Sequence, residues 1–187
     1  CLFGRVYTAS VIWRNDMDLD NLLQIFNIKK MNIIDSKKLK PQKRKELRNY
    51  IETFALDYSV SWASHNEIDK YNIRNATFKA MHRSLDNLIL KPQSLIVDGN
   101  DFKIYNMINH QCIIKGDDTY TSIAAASILA KVYHDEYIDE LIKENPELKK
   151  YDIHNNMGYG TKKHIDAIKK YGITKYHRKT FGICKNY

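Results

Sequence analysis

The chain has 187 residues, 43% of them hydrophobic and 28% charged, with a formal net charge of +8. That length suits one domain with a sizeable core, and the balance is ordinary for a soluble globular protein. No apolar run reaches the ~18–20 residues of a membrane span, no signal-peptide pattern opens the chain, and the cationic excess favours a polyanionic partner such as nucleic acid.

Cys1, Cys112 and Cys184 are far apart and in no Cys-x-x-Cys spacing. They argue against a disulfide framework or a zinc site and fit a reducing compartment, the cytoplasm. The chain opens on Cys1 and runs almost at once into a strand-like segment, so it reads as a piece of a longer protein.

Residues 6–13 (VYTASVIW) are short, β-branched and aromatic, and predict a strand. Residues 18–26 give a short helical pattern through Leu19, Leu22, Leu23 and Phe26. The loop Asp35-Ser36-Lys37-Lys38-Leu39 sets a hydroxyl and two ammonium groups before a helix that begins at Pro41. Such a group suits a phosphate, and equally an exposed surface turn. The helix carries Leu47, Tyr50, Ile51 and Phe54 as its apolar stripe. Tyr58, Val60 and Trp62 alternate as a second strand facing one side, and Ser64-x-x-Glu67 has capping-box spacing. Residues 75–89 predict an amphipathic helix through Phe78, Met81, Leu85 and Leu88, closed by Lys91-Pro92.

Residues 94–97 predict a third strand, apolar enough to be buried, that delivers Asp98 beside Gly99. A fourth, at 111–115, leads to Gly116, Asp117 and Asp118 and then to a helix made small by Ala124, Ala125, Ala126, Ser127 and Ala130. Two strands that each end in Asp beside Gly bring two carboxylates to one sheet edge, where hard Mg²⁺ or Mn²⁺ finds oxygen ligands. The competing reading is that Asp117 or Asp118 caps the helix. Residues 151–161 form an Asn- and Gly-rich loop presenting Tyr159, and Thr161 starts a helix to Tyr171 with Gly172 after it. The segment at 176–181 (YHRKTF) is basic and aromatic. His177 there suits a metal or a phosphate, or is a satisfied structural histidine.

The segments GRV, DSKKL, Glu67-Ile68-Asp69 to Asn72-Ile73-x-x-Ala76-Thr77, VDGN, KGD, AAASILAK, GYGTKKH and HRKTF stand in the order found in type 2 ribonuclease H (ribonuclease HII). The chain resembles that family over essentially its whole length. The resemblance implies an α/β, RNase-H-like fold, with a five-stranded mixed sheet flanked by helices and a helical C-terminal region. It is read as one domain over residues 1–187, truncated at its N-terminus. The implied activity is endonucleolytic hydrolysis of the RNA strand, or of single embedded ribonucleotides, in RNA/DNA duplexes. The implied enzyme is a monomer that binds two Mg²⁺ or Mn²⁺ ions through four carboxylates.

Asp98 matches the third of those carboxylates and Asp117 the fourth, with Asp118 a neighbour. Lys37 and Lys38 would contact backbone phosphate, and Tyr159 would pack on the deoxyribose after the ribonucleotide. Ser36, Thr161, His177 and Arg178 complete the candidate nucleic-acid-contacting set. The family's first strand carries an Asp-Glu pair and a Gly-Arg-Gly loop immediately before the residues matching Cys1 to Val6. The rival reading is therefore a non-catalytic nucleic-acid-binding remnant without that pair. Smaller departures are Arg5 in place of proline, His134 in place of arginine and Met157 in place of lysine.

Overall fold

The computed structural model describes residues 1–13 and 40–187. The helix expected at 18–26 and the loop with Ser36, Lys37 and Lys38 lie outside the described residues. The architecture is α/β. Strand β1 (Val6–Ile12) pairs with β2 (Asp57–Ala63), and β3 (Ser94–Asp98) pairs in parallel with β4 (Asn109–Ile113). The resemblance implies one five-stranded mixed sheet. The described residues instead hold four strands in two ladders. Contacts divide the chain into two compact units, Thr8–Ser61 with Ala80–Val132, and Cys1–Tyr7 with Trp62–Lys79 and Tyr133–Tyr187.

In the first of these units, helix α1 (Pro41–Phe54) opens on proline, which lacks an amide that the first turn would leave unpaired anyway. It buries Leu47, Tyr50 and Ile51, at about 1.5–3 kcal/mol each. Phe54, expected to complete the stripe, is 49% exposed because the helix ends there. In β2 the small residues Ser59, Ser61 and Ala63 are the buried ones, while Trp62 is exposed. β3 differs from its expected burial: it has one ladder partner, and its residues alternate between half-buried and exposed.

Helix α2 (His65–Asp86) opens with the expected capping box. The Glu67 carboxylate accepts from the Ser64 amide at 3.0 Å, and Ser64 Oγ accepts from the Glu67 amide at 3.1 Å. The helix breaks at Asn72 (φ 63°), whose side-chain oxygen accepts from the Asn75 amide and restarts it. The helix expected from residue 75 is this second segment. Helix α3 (Thr121–Glu144) is followed by a 3₁₀ turn (Pro146–Tyr151), the short α4 (Ile153–Asn156), α5 (Lys162–Tyr171) and a last 3₁₀ turn (Gly182–Asn186). Thr161 caps α5 and Gly172 follows it, as expected.

In the second unit, Phe3, Ile138, Leu148, Ile153 and Ile168 are wholly buried. Asp69 on α2 ties down the C-terminal segment, accepting from the Lys179 and Thr180 amides at 2.9 Å and from the Thr180 hydroxyl at 2.7 Å. The rings of His164 and His177 are also fully buried, with their Nε2 atoms 3.1 Å apart. Burial lowers both pKa values, that of His177 to about 4 with the neighbouring His164 and His65 adding to the effect. Asp152 opposes the shift at His164 without reversing it.

Two stability measurements follow. Asp69→Ala removes three acceptor contacts and is expected to lower the urea-unfolding free energy by about 1–3 kcal/mol. For the histidines, the unfolded chain titrates near the ordinary value of about 6.5, above the folded state. Their contribution is therefore complete above that pH and is lost as pH falls from there toward 4. The thermal midpoint should decline steadily from pH 7 to 5, and a flat profile contradicts the assignment.

Candidate functional site

Parallel pairing decides where the two aspartates meet. The register sets Asp98 opposite Ile113, so both strands finish at the same edge. The Gly99 amide donates to the Ile113 carbonyl at 2.9 Å. Lys115 then adopts a left-handed conformation (φ 55°) and throws the chain into a 3₁₀ turn, Gly116–Asp118. The turn brings the Gly116 amide to Asp98 Oδ1 at 3.0 Å, one residue before Asp117. A Cβ on Gly116 would stand 2.5 Å from Ile123 Cδ1, the movable end of that side chain, and 3.3 Å from Ile113 Cβ, so glycine lets the turn sit close against both.

Asp98 is exposed and Asp117 half-buried. Helix α3 begins only after this turn, at Thr121, and buries Ile123, Ala124, Ala125, Ile128 and Leu129. Among the described residues no group of three or more His, Cys, Asp or Glu side chains forms a potential metal cage. Asp98, at the end of β3, and Asp117, in the turn after β4, are thus two carboxylates carried on one backbone-bonded edge.

The other candidate surface lies in the second unit. Tyr159 is 55% exposed at the tip of the loop between α4 and α5. Its backbone is closely specified. The Tyr159 amide donates to the Asn156 carbonyl, and its own carbonyl accepts from the Thr161 amide, both at 2.9 Å. The buried Asn156 side chain accepts from the Gly158 amide at 2.8 Å and donates to the Tyr151 carbonyl at 3.0 Å. Gly158 has φ 82°, and a Cβ there would meet the Phe3 carbonyl at 3.0 Å. Thr161 is exposed beside Tyr159.

His177 and Arg178 do not join that surface. His177 is 0% and Arg178 4% exposed. His177 Nδ1 accepts from the Thr174 amide. The Arg178 guanidinium donates to the carbonyls of Gly4, Cys1 and Arg5 at 3.0, 3.4 and 3.1 Å, and its amide to Leu2 at 2.9 Å. Burial lowers its pKa to about 10, still charged at neutral pH. Both side chains are enclosed and spend these hydrogen bonds on the protein's own backbone. Sequence reading passed over His164, Asn156 and Asp69. Their only sequence signal is position, inside or next to the GYGTKKH and Glu67-Ile68-Asp69 segments.

A ribonuclease HII family profile matches residues 1–184. Curated proteins called ribonuclease HII from Phocaeicola vulgatus and Bacteroides fragilis are 46% and 48% identical to the chain, covering 98% of it and 84% of their own length. Among solved structures, the ribonuclease H2 of Pyrococcus horikoshii superposes with a TM-score of 0.72 at 23% identity, over 99% of this chain and 90% of that one. Ribonuclease HII from Archaeoglobus fulgidus, in its complex with PCNA, gives 0.73 at 22% identity, over 99% and 91%. Those two likenesses speak for the fold, and the closer relatives carry the family. The chain belongs to the ribonuclease HII family, whose members are endonucleases acting on the RNA strand of RNA/DNA hybrids.

Proposed function

We propose that the protein cuts the RNA strand, or a single embedded ribonucleotide, of an RNA/DNA duplex at a metal site containing Asp98 and Asp117. The observation that carries this reading is the Gly116 amide on Asp98 Oδ1, which joins the two strand ends into one acidic edge. Mg²⁺ or Mn²⁺ would be held there by carboxylate oxygens, together with the Asp-Glu pair that the family carries ahead of the Cys1 position. Held by those carboxylates, such ions would supply an activated water and offset the charge on the departing 3′ oxygen. Water adds to phosphorus and the bond to O3′ breaks, leaving a 5′-phosphate and a 3′-hydroxyl.

The chain's own residues do the positioning. The Gly116 hydrogen bond orients the Asp98 carboxylate before any ligand arrives. The exposed Tyr159 ring packs on the deoxyribose that follows the ribonucleotide, and the ribose 2′-hydroxyl separates RNA from DNA. Thr161 stands beside it, and Lys37 and Lys38 with Ser36 take backbone phosphate, as the resemblance implies. A net charge of +8 favours association with the duplex. A reducing compartment such as the cytoplasm fits the three dispersed cysteines, and the protein is proposed to act as a monomer. No helix of the described residues is long and apolar enough to cross a membrane.

With the protein as its gene encodes it, a DNA duplex bearing one ribonucleotide is expected to be incised in Mn²⁺ or Mg²⁺. Absence of incision in both metals refutes the reading. Asp98→Asn should lower the incision rate by about 10³-fold or more, leave duplex affinity within about twofold and weaken Mn²⁺ binding by calorimetry. Unchanged incision in that variant means the site is elsewhere. The logarithm of duplex affinity should also fall steeply and linearly with the logarithm of salt concentration, reporting several phosphate contacts.

A further inference from the structure

The buried pair His164–His177 has a feature that ring packing alone does not require. The Thr174 amide donates to His177 Nδ1 at 2.9 Å. A backbone amide only donates, so this nitrogen is bare and the neutral ring carries its proton on Nε2. At the other end, His164 Nδ1 lies 2.9 Å from the Tyr159 carbonyl. A carbonyl only accepts, so His164 carries its proton on Nδ1 and leaves Nε2 bare. The bare Nε2 of His164 faces the protonated Nε2 of His177 at 3.1 Å. Two separate backbone groups thus impose the two tautomers that complete the central bond.

We propose that His164 and His177 are positioning residues for duplex recognition: their one-way hydrogen-bond chain, running from the Thr174 amide to the Tyr159 carbonyl, holds the exposed Tyr159 ring in the pose that meets the sugar. This rests on the reading of Tyr159 given above. An exposed ring has few packing partners of its own, so its pose is set mainly by its backbone. Without His164, the Tyr159 carbonyl keeps only the bond from Thr161, across a three-residue turn about Gly160. The two imidazoles and the bond between them are buried, with Phe3 and Tyr151 rings each 5.1 Å from that of His177, so water does not compete for the central bond. Burial also keeps both rings neutral, the state in which the chain has a single direction.

If the histidines only filled space, His164→Phe would change stability and leave recognition alone. The test is a double-mutant cycle on the protein as its gene encodes it, reading by fluorescence anisotropy its affinity for a duplex with one RNA–DNA junction. His164→Phe is expected to weaken binding by about five- to tenfold, the size of one buried hydrogen bond. In a Tyr159→Ala background the same change should have no further effect, because His164 acts through Tyr159. His164→Asn, which keeps an N–H near the Nδ1 position, should restore affinity to within about twofold of the unaltered protein.

Equal weakening by His164→Phe in both backgrounds, or no weakening in either, overturns the inference and spares the reading of Tyr159. No effect of Tyr159→Ala itself overturns both. Should His164→Phe fail to fold, ¹⁵N–¹H correlation spectra of the unaltered protein decide the geometry. The expected tautomers are Nδ1–H for His164 and Nε2–H for His177, and any other assignment overturns the chain.

Discussion

The bond from the Gly116 amide to the Asp98 carboxylate is the contact on which the candidate metal site depends. Asp98 ends β3 and Asp117 lies in the turn that follows β4, and nothing in their side chains draws them together. Two carboxylates repel, so the backbone must hold them. Parallel pairing aligns the strand ends, Lys115 turns the chain, and the glycine lets the turn sit against Ile113 and Ile123. An acidic site held this way is arranged before a cation binds, so little reorganisation is left for the moment of binding.

In the other unit a buried cation does a comparable job. Arg178 has its guanidinium on three carbonyls of the first five residues, while its own amide binds Leu2. Burying a charge is costly, and the planar fork of arginine offsets that cost by meeting several acceptors at once. Lysine, a point charge on a flexible stem, cannot reproduce the geometry. Arg5, where the family usually carries proline, has an explanation of the same physical kind. Its guanidinium lies 3.8 Å over the Trp62 ring and 4.4 Å from that of Tyr137, a cation sandwiched between aromatic faces. That sandwich accounts for an exposed tryptophan on β2 without invoking a ligand.

The polar core around Tyr159 trades stability for definition. His164, His177 and Asn156 occupy volume that apolar side chains would fill with no desolvation cost. Each instead fixes a backbone group of the loop or its neighbour, and a fully satisfied buried network specifies one conformation more sharply than apolar packing does. The same network makes the core sensitive to acid, since a proton added to either ring reverses a donor–acceptor relation.

Much of this protein was legible in residue order alone. The strand expected at 6–13 and observed at 6–12, the proline-started α1, the Ser64–Glu67 box, the Thr161 cap and Gly172 all follow from local chemistry, because turns, caps and alternation depend on near neighbours. What only the tertiary structure decided is burial and partnership between distant residues. Charge and position made His177 and Arg178 look like surface contacts, and only the folded chain shows carbonyls from residues 1–5 waiting for one and a second imidazole facing the other. Trp62 and Phe54 read as inward-facing by hydrophobicity, yet small residues take the interior of β2 and α1 ends at Phe54. Local sequence specifies which way a chain turns. Which side chains lose water is settled by the segments that come to lie against them, and those are far away in sequence.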